Sequence, residues 1–586
     1  MKTLADVIIP NGSLRRKIVK KILRKLHLIS GVPITYYNTW VHQKNEFPPL
    51  NVQNLGTRGP LISVVVPVYN TPEPFLDELV YSVISQAYEE WELLLVDAST
   101  SAETKTRTRT YEDVDKRIHV IPVKNSGIAG NTNVGIENAR GEYIAFSDHD
   151  DILDPYALYE VALKIVDDSA DIVYTDEDKV SENSEVYFDP HYKPDWSPDL
   201  LTHVNYMNHL TVVRKSLLDK VGLLDTTKDG AQDYDLMLRL TDTAPIICHV
   251  PKVLYHWRAA RASTASNFSS KKNITDAGKR ALEEHFSRLG TKAKVMPKPD
   301  RPGFYELKLE AFKSVSLIIT PFASDALLRL YTELLLHSLK TSNIRLELIV
   351  PEGVVPEARP IGYTVIKLPA TKTFLHDAIK AAGNEQLLII NSPVLSLTEG
   401  WLDRLTSLLR LDHIAAAAPL IVHHGSLIED CGLVGGSDGS LRPIFKGYPY
   451  KNNQTYFGNT DWVRNVDALS GNFVVTRKGD LKAYLQHAEI EADNARLLKN
   501  YSRKVVANSE QALFNVVFSD VLFDNCSIRL QPTSQYVGYF NPNLIDVGTG
   551  SGLELYTPEA AALSILTRIK EDIMYGDVHE DTVETK

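Results

Sequence analysis

The 586-residue sequence has little cysteine, no long apolar run and no excess of positive charge. Its three cysteines, Cys248, Cys431 and Cys526, lie far apart, which supports neither a disulfide framework nor a zinc cluster. No apolar run reaches the ~18–20 residues that span a bilayer, and the N-terminus lacks the basic-then-apolar order of a signal peptide. A net charge of −11 argues against a general nucleic-acid binder. We therefore expect a cytoplasmic protein.

The composition, 44% hydrophobic and 23% charged, is typical of a globular protein, and the length predicts more than one domain. Proline and glycine cluster near residues 48–60 and 297–303, which marks two boundaries. We expect five parts: an N-terminal basic helix with a linker (1–59), a first domain (60–295), a linker (296–313), a second domain (314–540) and a C-terminal helix with an acidic tail (541–586).

Short apolar runs alternate with helical periodicity from residue 60 onward. The runs lie at residues 61–67, 93–96, 119–123 and 143–146, with helical patterns at 75–86 and 131–139 between them. Such alternation predicts an α/β fold with a mainly parallel sheet flanked by helices. Ligands of such sheets bind outside the carboxyl ends of the strands, so the residues that follow each run are the candidates for a site.

The second half of the chain repeats this pattern. From Pro67 to Asp97 is 30 residues, and from Pro321 to Pro351, after a similar apolar run, is also 30. We interpret the repeat as a second domain of similar architecture. In our alignment Asn391 and Pro393 replace Asp148 and Asp150, while Pro351, Asp493 and Asn515 correspond to Asp97, Asp233 and His256.

An acidic cluster, Asp148-His149-Asp150-Asp151, follows the fourth predicted strand. Its carboxylates are hard oxygen ligands that suit Mg²⁺ or Mn²⁺, which commonly bind one or two protein carboxylates together with substrate phosphates. The alternative is a solvated helix cap, because Asp154-Pro155 is typical of a helix start.

Three further patterns are candidates for a site. The Gly/Asn-rich loop at residues 124–135, with Gly127 and Asn133, offers backbone N–H groups to an anion, or serves turn geometry alone. Asp233 opens a helical pattern and is either a helix cap or a base. His256 and Arg258 follow an apolar strand, where a lone histidine is more often structural than a ligand.

Taken together, these residues resemble the inverting, metal-dependent nucleotide-sugar glycosyltransferases of family 2 with the GT-A fold. The resemblance covers about residues 60–290. The motifs that carry it are residues 67–70, 148–151, 174–178, 193–199, 230–235 and 254–258. It implies that Asp233 takes the proton of the acceptor hydroxyl and that Asp150 and His256 hold Mg²⁺ or Mn²⁺. The residues that it implies for nucleotide-sugar binding are Pro67, Tyr69, Asp97, Gly127, Asn133, Asp148 and Arg258.

By this resemblance the chain is expected to move a hexosyl or rhamnosyl group from a UDP- or dTDP-sugar to a glycan or lipid-linked acceptor in cell-surface polysaccharide synthesis. The second domain is expected to be degenerate, with two active domains as the alternative. A nucleotidyltransferase and a non-catalytic carbohydrate-binding scaffold remain open. A nucleotidyltransferase favours a glycine-rich, basic loop after the first strand, where this chain has Val68-Tyr69-Asn70. A scaffold has no need of Asp233 with metal ligands.

Residues 13–30 carry seven basic side chains and no acidic one. On a helix, an apolar stripe faces away from most of the basic residues, which is the pattern of an interfacial amphipathic helix. We expect this helix to dock the protein on the inner face of the cell membrane. The alternative is a helix that packs on the protein body or on a second copy of the chain. The residues of the stripe are Leu14, Ile18, Ile22, Leu26 and Ile29.

Overall fold

A computed structural model describes residues 59–259, 268–299, 301–321 and 324–339, and parts of 342–481 and 515–525. The chain divides into two compact units whose boundary falls between residues 291 and 308. The basic segment 13–30, the C-terminal helix and Asp493 lie outside the described residues. Within the described ranges, no helix combines the length and the apolar character that a membrane crossing needs.

The first unit is built on a nine-stranded sheet of order β3-β2-β1-β4-β8-β6-β9-β5, with β7 paired to β6. Strands β1, β2, β3, β4, β6 and β9 run in one direction, and β5, β7 and β8 run in the other. The α/β class with a mainly parallel sheet is therefore confirmed. The strands are β1 (Ile62–Val68), β2 (Trp91–Asp97), β3 (Ile118–Pro122), β4 (Tyr143–Phe146), β5 (Ile152–Leu153), β6 (Ile172–Ser181), β7 (Tyr187–His191), β8 (Thr211–Arg214) and β9 (Ile247–Ala259).

Helices connect these strands and cover the sheet. They are α1 (Glu73–Ile84), α2 (Ala102–Val114), α3 (Gly127–Asn138), α4 (Ala157–Asp168), α5 (Pro198–Leu201), α6 (Lys215–Val221), α7 (Gln232–Thr241) and α8 (Phe268–Arg288). Helix α2 begins after Ser101, whose hydroxyl accepts a hydrogen bond from the Thr104 N–H. Helix α3 packs so closely on the sheet that a Cβ at Gly135 would lie 2.4 Å from Val65. Glycine is required there for the close approach.

Strands β1 and β2 form the centre of the core. Valine and leucine dominate both strands, and Val64, Val65, Leu93 and Leu95 are fully buried. Successive side chains of a strand point to opposite faces, so both faces of the sheet are covered. The polar residues that follow β1, β2 and β4 therefore emerge together at the carboxyl edge of the sheet.

The second unit contains the strands and helices from β12 onward. Its large sheet has the order β14-β13-β12-β15-β22-β17-β23-β16, with β18 paired to β17 and β21 to β23. Strands β10 and β11 form a two-stranded sheet at the sequence boundary of the two units, partly in the stretch that was expected to be a linker, and β19 pairs with β20. The elements are β10 (Ala293–Pro297), β11 (Tyr305–Leu309), β12 (Ser314–Ile319), α9 (Asp325–Ser338), β13 (Arg345–Pro351), β14 (Tyr363–Leu368), α10 (Phe374–Ala381), β15 (Gln386–Ile390), β16 (Leu395–Ser396), α11 (Trp401–Ser407), β17 (Ile414–His423), β18 (Leu427–Asp430), β19 (Leu433–Gly435), β20 (Leu441–Pro443), β21 (Arg464–Val466), β22 (Phe473–Arg477) and β23 (Asn515–Asn525).

The two large sheets share one topology. Nine strands of the second sheet have a counterpart in the first, and each pair of neighbouring strands has the same relative direction, parallel or antiparallel, in both units. The corresponding strands are β14 and β3, β13 and β2, β12 and β1, β15 and β4, β22 and β8, β17 and β6, β23 and β9, β16 and β5, and β18 and β7. A second domain of similar architecture is therefore present, as the sequence repeat predicts.

The strand register corrects the alignment of the repeat by one residue. Ser63 lies opposite Glu92 in the first sheet and its hydroxyl donates to that carboxylate at 2.6 Å. Ser316 lies opposite Glu347 in the second sheet and donates in the same way at 2.5 Å. The match of Pro67 with Pro321 was therefore wrong. Counting on from Glu347, Glu352 rather than Pro351 corresponds to Asp97.

The register also corrects the counterpart of His256. His256 lies opposite Ile152 in the first sheet, and Asp524 lies opposite Leu395 at the same place in the second. Asn515, the expected counterpart, instead begins β23. The expected replacement of Asp148 by Asn391 holds, because β15 keeps the register of β4.

Candidate active site

A cleft of about 670 Å³, including its mouth, lies at the carboxyl edge of the first sheet. Pro67 from β1, Asp148 after β4, Asp233 from α7 and His209 before β8 all line it. Apolar side chains such as Ile128 complete the wall. The cleft thus combines an apolar surface with two carboxylates and one imidazole, which suits a small polar ligand.

The acidic loop 148–151 is anchored by its last member. Asp148 is exposed, whereas Asp151 is fully buried. Asp151 accepts hydrogen bonds from the Arg258 backbone N–H at 2.7 Å and from the Tyr255 hydroxyl at 2.5 Å. Burial, together with the charges of Asp148 and Asp150, raises the pKa of Asp151 well above its ordinary value. Asp151 therefore fixes the loop while Asp148 faces the cleft.

Arg258 is a buried clamp on the same loop. Its Nε donates to the backbone oxygen of Asp150 at 2.6 Å, and Nη1 donates to the Ser184 hydroxyl at 2.7 Å. Its Nη2 donates to the Glu78 carboxylate. The guanidinium also lies over the ring of Phe75, with 4.5 Å to the centroid. These contacts direct Arg258 toward the protein and fix the backbone of Asp150.

His256 is paired with a buried carboxylate. Its Nδ1 lies 2.6 Å from Asp178 Oδ1, and the two residues are partners in the register of β6 and β9. Both side chains are buried. A carboxylate on Nδ1 favours the tautomer that leaves Nε2 for a ligand, an arrangement that recurs at histidine ligands of metals.

The donor set fits a divalent cation only together with a substrate. Within the ranges that the structure covers, no three His, Cys, Asp or Glu side chains gather as a metal site. Asp150 precedes β5, whose Ile152 lies opposite His256. Burial, and after it the charge of Asp148, raises the pKa of Asp150 against the opposing effect of His149. A cation would relieve this crowding, and Mg²⁺ commonly completes its coordination with substrate phosphates.

Asp233 lies in the first turn of α7. Its Oδ2 accepts hydrogen bonds from the side-chain amides of Asn208 and, at 3.2 Å, Asn205. Burial raises the pKa of Asp233, while His209 lowers it and Asp148 raises it. A carboxylate held in this way, with a pKa moved toward neutrality, has the properties of a general base.

Residues 63–222 match the family model described as Glycosyl transferase family 2. The chain contains a family 2 glycosyltransferase domain. The whole chain is 30% identical over 540 residues to the O-antigen biosynthesis protein RfbC of Myxococcus xanthus. This alignment covers 87% of this chain and 42% of that protein. The chain is also 34% identical over 449 residues to the uncharacterized protein y4gI of Sinorhizobium fredii, in an alignment that covers 72% of this chain and 48% of that protein. The chain thus spans less than half the length of these relatives. A crystal structure of S. aureus TarS 1–349 with UDP-GlcNAc shares 21% identity over 39% of this chain and 72% of that one, with a TM-score of 0.29.

Within the glycosyltransferase domain, two predicted residues of the Gly/Asn-rich loop bind the chain itself. Gly127 has a φ of 83° and donates its N–H to the Asn125 side chain at 3.0 Å. Asn133 binds both the N–H and the carbonyl of Leu224 at 2.9 Å. Asn133 therefore ties α3 to the segment that leads to Asp233.

The two remaining predicted residues of the glycosyltransferase domain, Tyr69 and Asp97, follow β1 and end β2. Tyr69 is 45% exposed at the carboxyl edge. Asp97 is buried and accepts hydrogen bonds from the Ser99 N–H and the Thr108 hydroxyl, both at 2.9 Å. Tyr69 is thus open to a ligand, while Asp97 fixes the turn that leads to α2.

Sequence reasoning gave no role to three residues that the domain brings together: Glu177, Lys193 and His209. Glu177 and Lys193 lie in two of the motifs that carry the family resemblance, residues 174–178 and 193–199, but His209 lies in none of them. The available signal was the run Asp176-Glu177-Asp178 inside a buried strand, because buried carboxylates require partners.

Proposed function

We propose that the chain is an inverting, metal-dependent glycosyltransferase of cell-surface polysaccharide synthesis. Its donor is a UDP- or dTDP-sugar, and its acceptor is a hydroxyl of a glycan or lipid-linked glycan. The observation that supports this best is the shared cleft of Asp148 and Asp233 in a family 2 domain. The similarity to an O-antigen biosynthesis protein supports the polysaccharide assignment.

The reaction is a single displacement. Asp233 accepts the proton of the acceptor hydroxyl as its oxygen forms a bond to the anomeric carbon of the donor. The bond from that carbon to the diphosphate breaks, and the electron pair leaves with the nucleoside diphosphate. The anomeric configuration is inverted because the acceptor attacks from the side opposite the leaving group.

The other residues bind and orient the donor. Asp150 and His256 would hold Mg²⁺ or Mn²⁺, and the bound ion would offset the charge of the leaving diphosphate. Tyr69 contacts the base, and Asp148 contacts the ribose or the metal ion. Arg258 holds the acidic loop in place through the backbone of Asp150.

A panel of nucleotide sugars tests this function. Release of nucleoside diphosphate is measured for UDP-, dTDP- and GDP-sugars with Mn²⁺, with Mg²⁺ and with EDTA. We expect turnover of one UDP- or dTDP-sugar that EDTA abolishes. Failure with every donor, or incorporation of label from a nucleoside triphosphate, would contradict the proposal.

We further propose that the second unit is a degenerate transferase-like domain that serves packing, dimerisation or acceptor binding. By register, Ile421 and Val422 stand where Glu177 and Asp178 stand in the first sheet. Asn391, the counterpart of Asp148, accepts from the Thr320 hydroxyl at 2.5 Å and donates to a backbone carbonyl at 2.8 Å. These replacements remove the charges of Asp148, Glu177 and Asp178 from the corresponding positions of the second sheet.

We also propose that residues 13–30 bind the inner surface of the cell membrane. Seven basic residues contribute about 1 kcal/mol each on anionic lipid, and the apolar stripe adds to this. Deletion of residues 1–30 should reduce binding to anionic liposomes and slow transfer to a lipid-linked acceptor, but not to a short soluble one. Equal liposome binding before and after deletion would assign the segment to packing or oligomerisation.

A further inference from the structure

The loop of residues 205–209, here called the base-holding loop, connects the general base to a buried ion pair. We propose that Lys193 and Glu177 are positioning residues that hold Asn208 against Asp233 and His209 in the cleft, and that His209 contacts the substrate. This inference rests on the proposed glycosyltransferase function.

Lys193 fixes the backbone of the base-holding loop. Its side chain is fully buried, and its Nζ donates to the carbonyls of Asn208 at 2.8 Å and His209 at 2.7 Å. A third contact, of 3.4 Å, reaches the carbonyl of Met207. One ammonium thus binds three successive carbonyls, which restricts the loop to one backbone conformation. Burial lowers the pKa of Lys193 to about 8.

Glu177 orients the imidazole of His209. Its Oε2 accepts the His209 backbone N–H at 2.7 Å and lies 3.0 Å from His209 Nδ1. Its Oε1 lies 3.1 Å from His191 Nδ1 and 4.0 Å from Lys193 Nζ. Burial opposes ionisation of Glu177, but Lys193 and the two histidines hold its pKa well below the ordinary value. The carboxylate is therefore charged and fixes the ring through Nδ1.

The two side chains that this arrangement positions, those of Asn208 and His209, both line the cleft. Asn208 donates its side-chain amide to Asp233 Oδ2, so movement of the loop would move the base. The His209 ring stacks on Tyr255, with 5.0 Å between centroids and 17° between planes, and lines the cleft. With Nδ1 directed to Glu177, the ring presents its Nε2 side to a ligand. An N–H group at Nε2 can donate a hydrogen bond to a substrate oxygen.

The second sheet provides an internal comparison. By register, Asn472 stands where His209 stands, and apolar Ile421 stands where Glu177 stands. The carboxylate of Glu177 and the imidazole of His209 are thus both replaced at the corresponding positions. The fold does not require them, which favours a role in the reaction over a role in packing.

The test measures kcat and donor affinity separately. Asn208→Ala should lower kcat roughly 10- to 100-fold, because a small misplacement of the base has effects of this size. The Kd for the donor's nucleoside diphosphate should not change. Lys193→Met should act in the same direction, and the double variant should be less impaired than the product of the two single effects. Asn472→Ala is the matched control and should leave kcat unchanged.

His209→Asn and Asn208→Ala lie at the cleft surface and keep the test valid if Lys193→Met does not fold. His209→Asn should lower kcat/KM at least 10-fold, and His209→Gln, whose longer side chain carries its amide donor nearer to the position of Nε2, should recover part of it. Multiplicative effects in the double variant, or an equal loss of diphosphate binding, would overturn the positioning role while the transferase function stood. Absence of wild-type turnover with every donor would instead overturn the proposed function and this inference with it.

Discussion

The two units keep the same hydrogen bonds at the edge where their central strands begin. In each unit, a serine hydroxyl donates a hydrogen bond to a glutamate on the neighbouring strand: Ser63 to Glu92, and Ser316 to Glu347. Lysines after β8 and β22 donate to the carbonyls of Ala139 and Ala382 in the same way. These bonds close the ends of the sheet, so they belong to the framework that both units need.

At the opposite edge the two units differ in charge. The first places Asp148, Glu177, Asp178 and His209 there, and the second has Asn391, Ile421, Val422 and Asn472 at the corresponding positions. Buried charges are costly even when paired. The second sheet shows that this architecture forms without them. The difference favours a role for the charged groups of the first unit in the proposed reaction over a role in folding.

Among substitutions at corresponding positions of the two units, loss of a proposed metal ligand of the first unit should have the largest effect on transfer. Asp150→Ala and His256→Ala should each abolish metal-dependent transfer, because they remove ligands rather than core side chains. Transfer is followed as nucleoside diphosphate release, and Mn²⁺ binding is followed by calorimetry. Asp524→Ala, at the position of His256 in the second sheet, is the control and should change neither. Unchanged turnover in both first-unit variants would end the metal hypothesis.

Removal of the base should have the next largest effect. Asp233→Asn should lower kcat by ~10²–10⁴, the usual range for a general base, and leave donor binding intact. Donor affinity is measured by calorimetry alongside steady-state kinetics. Asp493→Ala, the sequence counterpart outside the described residues, should leave turnover unaltered. If donor binding disappeared with Asp233→Asn, the residue would be a binding group.

The imidazole of His209, which Asn472 replaces in the second sheet, should make stability depend on pH. Burial disfavours the charged ring, but Glu177, Asp148 and Asp151 raise the pKa of His209 to about 9. The folded pKa lies above the unfolded value of 6.5, so this stabilisation is complete below about pH 6.5 and is lost as pH rises through 9.

Urea unfolding of wild type and His209→Asn measures this effect. The difference in unfolding free energy should shrink by about 3 kcal/mol between pH 6 and pH 9.5. Because Lys193 is present in both proteins, its own titration largely cancels. Asn472→Ala should give a difference that does not depend on pH. A flat difference for His209→Asn would show that the ring is not held as a cation.

The smallest expected effect compares the shared framework. Ser63→Ala and Ser316→Ala each remove the hydroxyl bond to a glutamate, together with the bond that the hydroxyl accepts from the N–H of Gly141 or Asn384. Each should destabilise its unit by about 1 to 2 kcal/mol. Hydrogen exchange of β1 and of β12 reports the two units separately. A large cost in one unit and none in the other would contradict the view that the two bonds are equivalent.

Local patterns were sufficient for most of the strands. The run at 143–146 coincides with β4, and that at 93–96 lies inside β2, because strands buried on both faces read as continuous apolar segments. Helix α2 was not predicted. Its buried residues are Thr104, Thr108 and Tyr111, so it has no apolar stripe. The repeat was misaligned by one residue since prolines guided the match, whereas the strand ladder sets the register.

The sequence by itself determined the α/β class, the repeat, the acidic loop after β4 and the acidic start of α7. These features are local, and they need only strand and helix periodicity to be recognised. The tertiary structure alone decided which polar groups face the cleft and which bind the chain. Arg258, Asp97 and Asn133 bind the chain, and Glu177 with Lys193 holds His209. The physical reason is that a buried polar group must find a partner, and that partner comes from elements distant in the sequence.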